Sequence, residues 1–229
     1  MRMRLRRMRT ARCGAGLRLW GILAWLVATP AAGVVFGQSD DFQDGSVQNW
    51  DGGASPTNVA TGGPAGVGDR YLEISSVSFN LGAFNATQWT GDYDGEGIAK
   101  LNMKLNNLGS EPLAIRIILF SNSSSYTTTN ETVLPAASGW VSADFFLDST
   151  SLTLTSGFET LEQVLSGVAT LALRHDPDPL DPPGTQNHVT GTLGLDDITA
   201  LPEPGVVPML IAGVASIGGL RASRRATMG

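Results

Sequence analysis

Three observations in the sequence predict an all-β protein, namely an antiparallel β-sandwich with one short helix. Between Ser39 and Ala200, short runs rich in β-branched and aromatic residues alternate with clusters of Gly, Pro, Asn, Asp and Ser, which is the pattern of a sandwich or barrel. A single segment has the period of a helix. The one cysteine, Cys13, precedes this body, and a body of roughly 165 residues is large enough for one core without disulfides.

Seven strands are predicted from the order of these runs. Ile98 to Leu105 alternates apolar residues with lysine and asparagine, which indicates a strand with one buried face. Leu113 to Phe120 is apolar except for Arg116 and is expected to be a central strand, whereas the Thr-rich run from Ser125 to Leu134 is expected to be more exposed. The other four runs are Tyr71 to Ile74, Trp140 to Leu147, Val168 to Arg174 and Gly191 to Leu201.

One helix is predicted before the last two strands. Four apolar residues there have the spacing of one helical face: Leu161, Val164, Leu165 and Val168. Glu159 and Glu162 fall in the opening turn, where negative charge is favourable. Gly167 is expected to end the helix.

The first 37 residues have the layout of a secretory signal peptide. Seven arginines precede Leu19, an apolar run continues to Ala28, and small residues follow at Ala31, Ala32 and Gly33. Basic, apolar and small segments in this order direct export, with cleavage expected between Ala31 and Gly37. An N-terminal anchor that is not cleaved is the alternative.

The C-terminal segment, residues 202–229, is expected to be a processing and anchoring tag rather than part of a folded domain. It contains Pro202, Glu203, Pro204 and Gly205, an apolar run from Val206 to Leu220, and then Arg221, Arg224 and Arg225. As a helix the apolar run is about 22 Å long, against about 30 Å of bilayer hydrocarbon. It is therefore a marginal anchor, which requires its arginines to reach the headgroups.

This tail resembles the PEP-CTERM sorting signal of Gram-negative bacteria, in which a Pro-Glu-Pro motif precedes one hydrophobic span and an arginine cluster. The resemblance implies that an exosortase, a membrane transpeptidase-like enzyme, cuts the chain near Pro202 to Gly205 and passes it to the cell surface. The hydrophobic helix would hold the protein in the membrane only transiently. An ordinary C-terminal membrane tail is the alternative.

Between these ends lies one predicted domain, residues 38–201, that is strongly acidic. It holds five of the 15 basic residues, and all 21 acidic residues of the chain lie between Asp40 and Glu203. The stretch from Asp40 to Glu203 therefore has a net charge of −16, which repels nucleic acid and favours solubility and cations. Nucleic-acid binding is therefore excluded as the expected function.

The start and end of this domain resemble jelly-roll carbohydrate-binding modules. Asp40 to Gly45 followed by Trp50 is similar to their first strand, and Leu193 to Ile198 is similar to their last. The resemblance implies a jelly-roll-like sandwich in which the two end strands lie side by side and hold a structural calcium ion. Its expected ligands are Asp41, Asp44, Asp196 and Asp197, although Gln43 stands where those modules often have glutamate. Solvated turn carboxylates are the alternative.

Catalytic signatures are lacking in the sequence. His175 and His188 flank the proline-rich segment from Asp176 to Pro183, which reads as a stiff loop rather than as a metal or acid-base site. Neither a nucleophile elbow, a P-loop nor a dinucleotide fingerprint is present. The sequence therefore predicts that the protein is not an enzyme.

Aromatic residues offer a binding alternative. Trp89 and Tyr93 lie in a polar, Gly-rich segment and are the best candidates for stacking on sugar rings, with burial in the core as the other interpretation. Together these patterns predict an exported cell-surface or extracellular-matrix protein with a structural or adhesive role. A carbohydrate-binding module for extracellular polysaccharide is the alternative function, and a secreted hydrolase is a distant third.

Overall fold

The computed structural model describes residues 33–52, 54–77, 81–180 and 188–202, which form two antiparallel sheets packed face to face. The first sheet contains β1 (Ser39–Asp40), β2 (Thr57–Val59), β3 (Tyr71–Ser76), β5 (Ile98–Asn107), β9 (Trp140–Phe146) and β12 (Gly191–Pro202). The second contains β4 (Gly82–Asn85), β6 (Leu113–Phe120), β7 (Ser125–Thr128), β8 (Thr132–Leu134), β10 (Leu152–Ser156) and β11 (Thr170–His175). The predicted all-β sandwich is confirmed.

In the first sheet the strand order is β2-β3-β12-β5-β9, and β1 pairs with β12 beyond the end of β3. The register places Asp40 opposite Ile198 and Ser39 opposite Thr199. The end strands of the domain are therefore neighbours, as the jelly-roll resemblance implies. Strand β12 has a bulge after Asp196, where Asp197 adopts a positive φ of 48°, so the local ladder is interrupted.

In the second sheet the order is β10-β7-β6-β11-β4, and β8 pairs with the first half of β6. Leu113 to Phe120 forms β6 with partners on both sides, which confirms the predicted central strand. The predicted strand from Ser125 to Leu134 is wrong in two respects. It is broken into β7 and β8 around Asn130, and Ser125, Thr127 and Thr128 are buried rather than exposed.

The predicted helix is present as α1 (Leu161–Leu165) but is shorter than predicted, because Glu159 precedes its N-cap and Val168 follows its C-cap, Ser166. Thr160 caps its N-terminus in a capping box with Gln163, so two backbone N–H groups at this end are satisfied by side chains. Val164 and Leu165 are the buried residues of its apolar face. Four short strands, β1, β2, β4 and β10, escaped the sequence analysis because runs of two to five residues carry too little periodicity.

The core lies between the sheets and is built by alternating residues of the long strands. Leu101, Met103 and Leu105 of β5 are fully buried, while Lys100, Asn102 and Lys104 point to the other side, as predicted. Leu113, Ile115, Ile117 and Leu119 of β6 belong to the same core cluster.

The described fold starts earlier than the predicted domain boundary at residue 38. Val34 is buried in the core cluster, and its N–H donates to the carbonyl of Thr90 at 2.6 Å. The N–H of Gly37 donates to the carbonyl of Ala200 at 3.0 Å. Val34 and Gly37, which the predicted boundaries assign to the signal peptide, are therefore bonded to the sandwich.

Candidate functional site

The two aromatic residues predicted to stack on sugars are core residues. Trp89 and Tyr93 are both fully buried. The Trp89 indole N–H donates to Asp40 Oδ2 at 2.7 Å, and the Tyr93 hydroxyl donates to the carbonyl of Trp89 at 2.9 Å. The prediction that they are exposed is wrong, because a bridge between Gly91 and Val168 draws this Gly-rich segment against the sandwich.

These aromatics surround a buried carboxylate that the sequence analysis did not single out. Asp40 of β1 is 4% exposed, and its Oδ2 accepts from the indoles of Trp50 and Trp89 and from the Gln88 amide, at 2.8, 2.7 and 3.2 Å. Burial raises the pKa of Asp40, and the three hydrogen bonds oppose that shift. The sequence analysis placed Asp40 and Trp50 in one motif, but no local pattern connects either of them with Trp89.

Asp40 lies on the wall of a cavity of about 400 Å³. The other lining residues come from one turn and from the loop after β4: Asp44, Ser46, Val47, Gln48, Asn49 and Gln88. The lining residues carry amides, carboxylates and a hydroxyl together with the Val47 side chain.

The predicted calcium ligands are separated by the structure into two places. The first place holds the carboxylates of Asp41, Asp196 and Asp197. Their charges interact, since the charge of Asp41 raises the pKa of both other carboxyls. Burial is the main reason that the pKa of Asp196 rises to about 7. Asp44 instead accepts from the N–H and hydroxyl of Ser46, and it lines the cavity beside Asp40.

A fourth carboxylate, Asp69, joins the Asp41 group in place of Asp44, because its charge also raises the pKa of Asp196 and Asp197. The Gln43 amide lies among these oxygens and donates to Asp69 Oδ1 at 2.9 Å and to the carbonyl of Asp41 at 3.0 Å. Among the residues that the structure describes, no three or more His, Cys, Asp or Glu side chains are arranged as a metal site. Calcium binding therefore stays a prediction.

The outer face of the second sheet carries a row of uncharged side chains across five strands. Cross-strand pairing places Phe84, Ala172, Ile118, Thr127 and Thr153 in register from β4 to β10. Ile118 and Ala172 are buried although they lie outside the core cluster between the sheets, and Thr127 is buried as well. Only the two ends of the row, Phe84 and Thr153, reach solvent. Phe84 is 41% exposed at one end of the row. We call this set the outer row.

Two arginines, Arg116 of β6 and Arg174 of β11, lie beside the outer row on the side of the loop that follows β11. Arg116 is buried there, and its guanidinium donates to the carbonyls of Thr128, Thr129 and Asp176 and to the Glu131 carboxylate, at 2.7 to 2.8 Å. Arg174, its cross-strand neighbour, forms an ion pair with Asp176. These contacts fix the loops beside the row.

The remaining predicted site residues lie at the C-terminus. Pro202 ends β12, whereas Glu203, Pro204, Gly205, Arg221, Arg224 and Arg225 lie outside the described residues. Within the described ranges, no helix has the length and the apolar character needed to cross a membrane.

Comparison with protein-family models and with curated proteins finds no match. Among solved structures, a family 11 carbohydrate-binding module from Clostridium thermocellum, in complex with a beta-1,3-1,4-mixed-linked tetrasaccharide, is similar with a TM-score of 0.50. It is 17% identical, and the match covers 73% of this chain and 96% of the module.

Two agarases are similar over part of their length. An exo-beta-agarase matches with a TM-score of 0.52 and 14% identity, over 72% of this chain and 24% of the agarase. The agarase AgWH50C matches with a TM-score of 0.51 and 14% identity, over 75% of this chain and 25% of the agarase. At these identities the likeness is one of fold, and it confirms the predicted jelly-roll-like sandwich.

Proposed function

We propose that this protein is an exported, adhesive surface or matrix protein whose sandwich binds extracellular polysaccharide at the Phe84 end of the outer row. The observation that carries the proposal is the exposed aromatic ring of Phe84 at the edge of the second sheet, beside a row whose central side chains are buried. A pyranose presents a flat apolar face and a rim of hydroxyls, so it can pack on the Phe84 ring. The similar module is in complex with a beta-1,3-1,4-mixed-linked tetrasaccharide, so a polysaccharide with these linkages is the first candidate ligand.

The proposal is tested by isothermal titration of the full-length protein with mixed-linked β-1,3-1,4-glucan and with agarose oligosaccharides. Phe84→Ala is expected to weaken binding by about tenfold, the loss that corresponds to one aromatic contact. Phe146→Ala is the matched control, because Phe146 is 45% exposed on the outer face of the first sheet. Equal losses in the two variants, or no binding of any glycan, would contradict the proposal.

The same proposal holds that the protein binds the polysaccharide without cleaving it. The polar side chains beside the outer row are engaged in loop contacts, as for Arg116 and Glu131. The release of reducing ends from the same glycans measures turnover. We expect none above a protein-free control, and turnover lost on changing one carboxylate would favour the hydrolase instead.

The proposed route to the surface is export by the signal peptide followed by exosortase cleavage near Pro202 to Gly205. The position of the motif supports this route, because β12 ends at Pro202 and the motif therefore directly follows the folded domain. Intact-mass analysis of the cell-surface protein tests both steps. A mass that includes either terminal segment would contradict the corresponding cleavage.

Calcium is proposed as a structural ligand of Asp41, Asp69, Asp196 and Asp197, because these like charges lie close together and a divalent cation would offset their repulsion. Thermal melts of the full-length protein with calcium chloride and with EDTA test this. We expect calcium to raise Tm, and the rise to disappear in Asp196→Asn. Equal Tm values with and without calcium would contradict the proposal.

A further inference from the structure

The strand orders of the two sheets end at β2, β9, β4 and β10, and three of these edge strands have a feature that hinders pairing with another chain. Strand β2 has only three residues. Strand β4 is bridged by Asp51, whose N–H and carbonyl bond to the backbone of Phe84. The ladder of β10 is irregular between Leu154 and Ser156. Short length, coverage and bulges are the means by which edge strands commonly avoid association.

Strand β9, at the fourth end, has none of these features. It has seven residues, Trp140–Phe146, and its register with β5 is continuous over all of them. In the described part of the chain it pairs with no other strand and takes part in no isolated bridge. Neither proline nor lysine, which often block edge pairing, occurs in it. The side of β9 that faces away from β5 is therefore a continuous strand edge.

The ladder with β5 shows which backbone groups of β9 face outward. The N–H of Leu147 donates to the carbonyl of Ala99 at 2.9 Å, in the same register as the pairs of β9 with β5. Hydrogen-bonded and non-hydrogen-bonded pairs alternate in an antiparallel ladder, so the odd-numbered residues of β9 bond to β5. The N–H and carbonyl groups of its four even-numbered residues therefore point away from the sheet: Trp140, Ser142, Asp144 and Phe146. None of these backbone groups has a hydrogen-bond partner among the described residues.

This edge is complementary to itself about a two-fold axis at Ala143. Antiparallel pairing of two copies in that register places Trp140 opposite Phe146 of the second copy, and Ser142 opposite Asp144. All four outward-facing residues of each strand then form hydrogen-bonded pairs. Directly opposed aromatic residues stabilise a sheet, whereas directly opposed like charges destabilise it. An axis at Asp144 would oppose two carboxylates, and an axis at Ser142 would leave Phe146 without a partner in β9, so the register centred on Ala143 is preferred.

The charge and exposure of the β9 side chains favour the same pairing. Asp144 is the one charged residue of the strand, and its carboxylate already forms an ion pair with Lys100 at 2.9 Å. Phe146 is 45% exposed, whereas its neighbour Phe145 is buried in the core. A second strand beside β9 would remove part of the Phe146 ring from water, and burial of apolar surface is the main driving force of association.

We propose that two copies of this chain associate by antiparallel pairing of their β9 strands, which joins the first sheets of the two copies edge to edge. A two-fold dimer uses the same surface on both copies, as a self-complementary strand edge requires. Phe84 lies on the second sheet and takes no part in this contact. The association is therefore independent of the proposed polysaccharide binding, and either can fail without the other.

Disulfide cross-linking tests the register in the full-length protein with Cys13→Ser, which removes the only native thiol. In the proposed dimer the two Ala143 residues form a non-hydrogen-bonded pair with Cα atoms about 4.5 Å apart, within the range that a disulfide spans. We expect Ala143→Cys to form a covalent dimer under mild oxidation. Ser142→Cys should not, because the two Ser142 residues are offset along the strands. Equal cross-linking of both variants, or no covalent dimer from folded Ala143→Cys, would overturn the proposal.

A proline on β9 tests the backbone contact without a new thiol. Ser142→Pro removes an outward-facing N–H and keeps the bonds to β5, and proline is tolerated at such edge positions. By symmetry the dimer loses two hydrogen bonds, so its dissociation constant should rise about tenfold. Sedimentation of the full-length protein in mild detergent, at about 0.3 M salt to screen its acidic charge, measures this. Ser142→Ala keeps the N–H and is the matched control. Equal dissociation of the two variants, or a monomeric wild type, would overturn the proposal.

Discussion

The outer faces of the two sheets differ in the character of their side chains. On the first sheet, β5 and β9 present Lys100, Asn102, Ser142 and Asp144, which interact with one another at 2.6 to 3.4 Å. On the second sheet the outer row presents uncharged side chains, and Ile118 at its centre is buried.

The difference shows that the two outer faces of one sandwich can differ in function. A face in contact with solvent requires only that apolar and polar residues alternate along its strands, as they do in β5. Strand β6 is apolar on both faces apart from Arg116, and its outward residue Ile118 is buried. We propose binding at the exposed edge of this sheet, at Phe84, and the predictions below test the contrast between the two faces.

The largest expected effect is the loss of the buried cation of the second sheet. Arg116→Ala removes three hydrogen bonds that the guanidinium donates to backbone carbonyls and leaves the Glu131 carboxylate without its partner. We expect the free energy of unfolding to fall by about 3 kcal/mol or more, as measured by urea denaturation.

Lys100→Ala is the matched change on the first sheet, where the ion pair with Asp144 is partly exposed. Its cost is expected to be about 1 kcal/mol or less. Similar costs for the two variants would contradict the contrast between the faces.

A second comparison uses one glycine of each sheet. A Cβ on Gly82 of β4 would lie 2.6 Å from the carbonyl oxygen of Leu173 and 2.7 Å from Arg174 Cβ, so Gly82→Ala must displace backbone. We expect a loss of about 1–3 kcal/mol in unfolding free energy. A Cβ on Gly194 would meet the outer edge of the Trp140 ring at 2.9 Å, and that side chain can move. Gly194→Ala should therefore cost less, and the reverse order would contradict the packing.

The third prediction concerns pH and His175 of β11. Its Nδ1 accepts from the Ala114 N–H at 3.0 Å, and burial lowers the pKa of His175, although the charge of Asp176 opposes this shift. The unfolded chain therefore takes up the proton first as pH falls. The stability contributed by neutral His175 is present above about pH 6.5 and is lost below it.

Denaturation of the wild type and of His175→Gln at about pH 7.5 and about pH 5.5 measures this contribution. The wild type should lose more stability between the two pH values than His175→Gln does. Identical losses in both proteins would show that His175 does not titrate in this way.

The smallest expected effect on stability is that of Phe84→Ala. Because Phe84 is 41% exposed, its truncation should change the free energy of unfolding by about 0.5 kcal/mol or less. A weakened glucan affinity in a variant of unchanged Tm is the expected combination. A large loss of stability would instead show that the ring is a structural element of the sheet.

Much of the fold follows from local pattern. The period-two alternation of Ile98 to Leu105 predicted the correct face for each lysine, and the helix was predicted from four apolar positions. The short strands and the break at Asn130 were missed, because pairing with distant strands decides them rather than local preference.

The candidate sites were less accessible to sequence reasoning. Trp89 and Tyr93 lie in a segment that looks exposed, but the long-range partner Asp40 satisfies the Trp89 indole and allows its burial. The outer row unites residues between positions 84 and 172 through strand register alone. Such a surface exists only in the folded chain, so no motif marks it.

The central claim, that polysaccharide binds on the second sheet, is tested most directly by following backbone amide resonances during titration with a mixed-linked β-glucan oligosaccharide. The account predicts shifts at Phe84 and at its cross-strand partner Ala172, with the amides of Lys100 and Asn102 unchanged. Shifts confined to β5 and β9 would contradict it.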